Sequence, residues 1–230
     1  MDARVLKDVS FRIDDDALIE ELRLKEGSSS MGEVRLLAAE ARAIARPKAL
    51  YVQRFIEERD DDSVLVGGVR LTSRVLRVNL EHAQRMFPYV ATCGVELAAW
   101  ASSQDDLLHR FWAEAICEMA LRQSKRAAHQ HLIEHYRPGK TASMAPGSLA
   151  DWPLEEQRSL FALLGDTEGT IGVRLTDHML MIPTKSVSGI WFPAEASFES
   201  CQLCPRERCP GRRAPYDAGL YDRKYRKKDE

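Results

Sequence analysis

Three cysteines crowd into nine positions in the last part of the chain, as Cys201-Gln202-Leu203-Cys204-Pro205-Arg206-Glu207-Arg208-Cys209-Pro210. A C-x2-C pair in a tight turn can aim both sulfurs at one ion, and Pro205 and Pro210 stiffen the loop behind them. Arg206, Arg208, Arg212 and Arg213 set positive charge beside the thiols. Such cations favour the thiolate, the form that binds metal. Three sulfurs leave a closed zinc site one ligand short, so a fourth would come from another cysteine, a histidine or a carboxylate. A four-iron cluster with three protein sulfurs and one open position meets the same spacing, and zinc and iron–sulfur both stay open. The plainer alternative is three free thiols, or a redox pair with a spare. Because thiols this close are prone to oxidation, the spacing favours a metal or cluster at Cys201, Cys204 and Cys209.

Other chemistry-bearing residues are sparser. Glu114 and Glu118 stand at i and i+4, which puts both carboxylates on one helix face. His131 and His135 share that spacing, and His109 and His129 lie along the same segment, but no third metal ligand is near in sequence. These histidines read as surface or capping groups. Cys93 and Cys117 sit in apolar periodic stretches and read as small core residues. Gly147 and Ser148 form a turn, and Lys185-Ser186-Val187-Ser188-Gly189 offers hydroxyls and backbone donors to a carboxylate or ribose. The alternative for both is plain architecture, a tight turn and a strand whose glycine permits close packing. Trp152 is either a pocket wall or a core residue at a helix start. No nucleophile elbow, phosphate-cradling glycine loop or paired-carboxylate pattern is present, which disfavours a self-contained hydrolase or kinase.

The elements that must position these residues follow from periodicity. Residues 4–13 alternate as a strand, Asp14 to Asp16 cap a short helix through Leu24, and Met31 to Ala45 is a helix with Val34, Leu37, Ala38 and Ala41 on one face. Segments 50–57 and 64–71 form a hairpin across the acidic turn Arg59-Asp60-Asp61-Asp62-Ser63. A short helix over 79–86, a buried strand over 89–93 and a helix from Gly94 precede the longest helix, about 106–135. Leu108, Phe111, Trp112, Ala115, Ile116, Met119 and Ala120 recur at three and four along it, predicting one core-facing stripe. A helix begins at Trp152-Pro153 and ends near Gly165. Strands follow over 173–176, 178–183 and 186–192. The fold class is α+β, a single domain with a largely antiparallel central sheet flanked by helices.

The chain has 230 residues, enough for one substantial domain, and its 44% apolar fraction supplies a core. With 33 basic and 35 acidic residues, the net charge of −2 argues against a general nucleic-acid binder. The stretch from Arg206 is net positive, nine basic residues against five acidic, and reads as a solvated tail lying on an acidic body. No apolar run approaches the ~20 residues of a membrane span. Residues 1–16 lack a secretory layout, and five cysteines, an odd number, argue against a disulfide framework. A cytoplasmic location without membrane or nucleic-acid partners is the expectation.

Several segments, in order, resemble the activation domain of cobalamin-dependent methionine synthase and its stand-alone relatives. They are Thr92-Cys93-Gly94-Val95-Glu96, Ala145-Pro146-Gly147, Asp151 through Gln157, Leu175 through Pro183, and Lys185 through Phe192. The resemblance implies a curved α+β module over residues 1–200, with 201–230 a cysteine-rich segment and basic tail. It implies S-adenosylmethionine binding by Ala145, Pro146, Gly147, Ser148, Trp152, Lys185, Ser186, Val187, Ser188 and Gly189, against a cobalamin held by a partner. The family's methionine synthases place an arginine, which helps hold the donor's carboxylate, two positions before the Ala-Pro-Gly turn, and a tyrosine after its glycine. This chain has Ser143 and Ser148 there. The implied role is reductive reactivation of a corrinoid methyltransferase, as part of that system rather than as a complete enzyme. Partners would be a corrinoid protein or methionine synthase modules and an electron donor, with an iron–sulfur centre at the cysteines delivering the electron. The alternative is a metal-stabilised docking module that does not bind S-adenosylmethionine.

Overall fold

The computed structural model describes residues 3–25, 27–195, 198–209 and 211–227. Pro210 of the cysteine array and the end of the basic tail, 228–230, lie outside the described residues. Strand β1 (Ala3–Leu6) is shorter than the alternation through Ile13 predicts. Beyond it a side chain stands in for a strand partner: Gln123 accepts from the Arg12 N–H (3.0 Å) and donates to the Arg12 carbonyl (2.6 Å). Helix α1 (Asp15–Glu21) is capped by Asp14, whose carboxylate accepts from the Asp16 and Ala17 N–H groups. Helix α2 (Ser30–Ile44) buries Val34, Leu37, Ala38 and Ala41, the face its spacing predicts.

Strands β2 (Lys48–Val52) and β3 (Arg54–Arg59) divide the segment read as one. Segment 64–71 is likewise two strands, β4 (Ser63–Val66) and β5 (Val69–Thr72). Gly67 and Gly68, at φ +55° and +74°, turn them into a tight hairpin, which suits the twist of paired strands. Helix α3 (Arg74–Asn79) begins earlier than expected, because Ser73 Oγ accepts from the Leu76 N–H (3.0 Å) and fixes its start. The chain is already extended by Arg85, where β6 (Arg85–Thr92) starts. Gly94, at φ +95°, then admits α4 (Val95–Ser102). The long helix α5 (Leu107–Tyr136) is capped by Asp106, which accepts from Leu108 and His109 N–H groups (2.8 and 2.9 Å).

Strand β7 (Thr141–Met144) was not foreseen, nor was helix α7 (Thr167–Ile171), which follows α6 (Gln157–Leu164). The remaining elements are the two-residue strands β8 (Arg174–Leu175) and β9 (Met181–Ile182), the strand β10 (Ser186–Pro193), and helix α8 (Leu220–Lys224).

Eight strands form one antiparallel sheet around β6. One edge of β6 pairs with β10, from Ser186↔Thr92 to Trp191↔Phe87, and β10 in turn pairs with β7. The other edge pairs first with β2 and then with β3 in a single register, from Lys48↔Thr92 to Phe55↔Arg85. Pro88, which has no N–H to donate, falls opposite the gap between them, so the ladder is interrupted there.

Alternation then divides the core. Ala49, Tyr51, Phe87, Tyr89, Ala91 and Trp191 face Leu121, Ala128 and Leu132 of α5. Leu50, Val52, Met86, Val90, Ile190 and Phe192 face the opposite way, onto Trp152, Leu160, Leu163 and Leu164. The first half of α5 packs elsewhere, against α1, α2 and α4 through Trp112, Ala113, Ile116, Cys117 and Ala120. The predicted stripe is therefore only partly right, because Leu108 and Phe111 are 49% and 60% exposed. The tail is not wholly solvated: Tyr225 is buried and its hydroxyl donates to Asn79 Oδ1 (3.0 Å), while Lys227 pairs with Asp62 (2.7 Å). No helix among the described residues is long and apolar enough to cross a membrane.

A Cβ at Gly94 would collide with the Arg46 carbonyl oxygen on a backbone that already disfavours L side chains. Gly94→Ala should therefore lower stability by more than about 1 kcal/mol, read as a lower urea midpoint at unchanged slope. Gly32, exposed inside α2 with open space around it, provides the opposite case. Gly32→Ala should raise the midpoint, by up to about 1 kcal/mol of helix propensity.

Candidate functional site

The residues singled out from sequence lie in three places. At the end of β7 the Gly147 N–H donates to the Trp152 carbonyl (2.8 Å) and Ser148 N–H to Ala145 (3.2 Å), closing a turn at Gly147 φ +78°. Trp152 is wholly buried in the core, with no partner for its indole N–H among the described residues. Ser188 is buried on the same side, where its hydroxyl accepts from Gln157 Nε2 (2.9 Å). Lys185 and Ser186 stand at the far end of β10. Lys185 Nζ lies 3.4 Å from Glu114 and 3.8 Å from Glu118, so those two carboxylates hold a lysine of their own chain. Lys185 also borders a cavity of about 340 Å³ between α4 and Ile182-Pro183-Thr184. Val187 and Gly189 alternate onto the α5 side. Of the ten, only Lys185 lines this cavity, and none lines either of two others.

A different cavity, about 390 Å³, opens between α5 and the β7–β10 edge. Its floor is Trp191, stacked on Tyr89 with ring centroids 3.7 Å apart and planes 9° from parallel. Arg122, Lys125, Arg126 and His129 descend from α5 at helical spacing onto one wall, and Thr141, Ala142 and Ser143 of β7 form another. Glu199 and Arg213 close the outer side as an ion pair at 2.9 Å. This cleft, which sequence reasoning did not single out, is thus basic and aromatic. Its signal was present in the 122, 125, 126, 129 spacing, but that stretch reads equally well as a solvated helix face.

The cysteine segment forms the outer flank. A 3-10 turn (Ser200–Leu203) is capped reciprocally by Glu199 and Gln202. Arg212 sits at the centre of the loop, its guanidinium donating to the carbonyls of Cys201 (3.1 Å), Ala214 (3.3 Å) and Cys204 (3.3 Å), and to that of Arg206. The Arg213 N–H donates to Cys201 Sγ (3.5 Å), and this bond, helped by the Ala214 N–H and the two arginine charges, holds the Cys201 thiol below its ordinary value. Among the described residues no group of three histidine, cysteine or carboxylate side chains is placed to hold a metal. The loop as folded therefore does not gather the three thiols expected to bind zinc or a cluster. The Arg212 guanidinium ties its carbonyls together.

The remaining titratable candidates have structural partners. His131 Nδ1 pairs with the Tyr51 hydroxyl (2.7 Å), and His135 Nε2 with Arg4 (2.9 Å). Cys93 and Cys117 are buried together, and the Cys93 thiol, reinforced by burial, pushes Cys117 far above the ordinary thiol range. His129 contacts Thr141 Oγ1 (3.0 Å), and burial, with the Lys125 charge adding to it, lowers its pKa. A histidine depressed in the folded state contributes fully above the free imidazole value and loses that contribution as pH falls through it. The urea midpoint should thus drop between about pH 7.5 and about pH 5.5, and His129→Gln should reduce that drop.

Three comparisons bear on this geometry. Residues 108–202 match the family model described as vitamin B12 dependent methionine synthase, activation domain. No curated protein matches the chain. Among solved structures, the crystal structure of the MetH reactivation domain bound to AdoHcy superposes with a TM-score of 0.60 at 16% identity, covering 86% of this chain and 81% of that one. All the residues lining the α5–β10 cleft fall inside the matched segment except Arg213. Two further cavities draw many of their walls from outside it, including Val78, Asn79 and Lys224 in one and Val95, Ala98 and Ala99 in the other. The resemblance to the cobalamin-dependent methionine synthase activation-domain family is thereby shown, in sequence over residues 108–202 and in fold over most of the chain.

Proposed function

We propose that this chain binds S-adenosylmethionine in the cleft between α5 and the β7–β10 edge and presents it to a corrinoid held by a separate protein. The observation that carries the reading is the coincidence of that cleft with the family segment, residues 108–202. Its volume, about 390 Å³, lies in the range of small-molecule sites, and Trp191, stacked on Tyr89, is part of its apolar lining. The likeness to a reactivation domain bound to AdoHcy supports the same ligand class.

The donor supplies an electrophilic sulfonium methyl; its transfer to a reduced cobalt leaves S-adenosylhomocysteine. This chain's part is to bind and orient. Trp191 closes the inner end of the cleft, and Thr141 and Ser143 offer hydroxyls along β7. The cationic wall of α5 meets the end of the ligand that carries negative charge. Delivery of the reducing electron belongs to a donor outside this chain in the proposal, since the thiols are not gathered for a cluster. Stoichiometric iron and acid-labile sulfide in anaerobically isolated protein would restore that role to Cys201, Cys204 and Cys209.

A second reading is favoured by one observation: Leu107, Leu108 and Phe111, exposed by 80%, 49% and 60% on the first turns of α5, make an apolar surface suited to protein docking. A docking module could use that surface without binding the donor. Titration calorimetry with S-adenosylmethionine and S-adenosylhomocysteine separates the readings. Saturable binding of both, weakened about tenfold or more by Trp191→Ala, is expected for the donor site. Absence of heat and of any thermal shift with either ligand leaves the docking module. Wild-type affinity in the Trp191→Ala variant would place the donor elsewhere.

A further inference from the structure

The α5 wall carries more positive charge than its surroundings neutralise. Arg122 is held by both oxygens of Glu21 (2.8 and 2.7 Å), and Arg213 is held by Glu199. Lys125 lies over the Tyr89 ring, 5.5 Å from its centroid, and pairs with no carboxylate among the described residues. Arg126 has neither an ion-pair nor a hydrogen-bond partner among them. Two uncompensated cations one residue apart on a concave wall repel each other, and a bound anion relieves that repulsion. The opposite wall cannot provide this charge, because β7 presents only Thr141, Ala142 and Ser143 to the cleft.

We propose that Lys125 and Arg126 of α5 hold the carboxylate of the S-adenosyl ligand, and that the cysteine segment, through Arg213, forms the outer wall of the same site. The inference rests on the donor-binding reading above and assigns the residues that select the ligand's amino-acid end. A guanidinium offers a carboxylate two parallel N–H donors, and the ammonium of Lys125 adds a point charge beside it. Placing Arg213 in the wall links the ligand to Cys201, whose sulfur accepts the Arg213 N–H. The three cysteines then belong to a segment that borders the donor rather than to a separate module.

The test compares S-adenosylmethionine with decarboxylated S-adenosylmethionine, which keeps the sulfonium, amine and adenosine. The full chain should bind the carboxylate-bearing ligand about tenfold tighter or more. Arg126→Ala and Lys125→Ala should each weaken S-adenosylmethionine by about that factor and leave the decarboxylated ligand within about twofold, with Arg126→Lys intermediate. Saturating S-adenosylmethionine should also slow iodoacetamide alkylation of Cys201, followed by mass spectrometry. Equal wild-type affinity for the two ligands, or equal loss of both in the variants, overturns the carboxylate assignment. An unchanged alkylation rate removes Arg213 from the site. A wild-type chain that binds neither ligand overturns the donor-binding reading itself, a result distinct from lost discrimination.

Discussion

The stacking of Trp191 on Tyr89 depends on what is missing at Gly189. Gly189 and Tyr89 are cross-strand partners, and a Cβ at Gly189 would stand 3.0 Å from the Tyr89 hydroxyl and 2.7 Å from the Met144 carbonyl oxygen. Without that carbon, β7 can close against β10 and the tyrosine ring can lie across the strand onto the indole. Aromatic cover of a strand glycine is a recurrent means of fixing register. Here the same contact makes a flat floor. The neighbouring strand, the floor and the mouth of the cleft thus share one steric condition.

Helix α5 carries the other half of the arrangement. Its thirty residues pass from a helical cluster, where Trp112, Ile116 and Cys117 are buried, to the sheet, where Leu121, Ala128 and Leu132 are buried. The buried face therefore rotates along the helix, and a single stripe does not describe it. At the crossover Ser124 Oγ donates to the Lys48 carbonyl (2.6 Å), pinning the helix to β2. That bond lies beside the turns that carry Lys125, Arg126 and His129 onto the cleft wall.

Local signals were legible where one element determined its own form. Asp14 and Asp106 capped the helices they precede, the spacing of Val34, Leu37, Ala38 and Ala41 chose the buried face of α2, and Gly165 ended α6. Nonlocal pairing was less so. Strand β7 is short and becomes a strand because β10 lies beside it, and Gly67-Gly68 turns a seemingly continuous strand into a hairpin. The candidate cleft was harder still. Trp152 and Ser188 are buried in the core, whereas the cleft is lined by α5, Trp191 and Arg213, which meet only in three dimensions. In the cysteine segment the loop is tied by Arg212, whose donors reach carbonyls that no spacing rule counts.

Tyr225 fills space in the main core and anchors its hydroxyl on Asn79, while the Arg74 guanidinium donates to its backbone carbonyl (3.0 Å). Among the described residues it is one of the last to emerge during synthesis, long after the helix and strands that receive it. A growing chain therefore carries an unplugged hydrophobic socket until residue 225 has been made. Sealing that socket joins Tyr225 to Asn79 across 146 positions, so the segment around α8 latches elements that were made well before it.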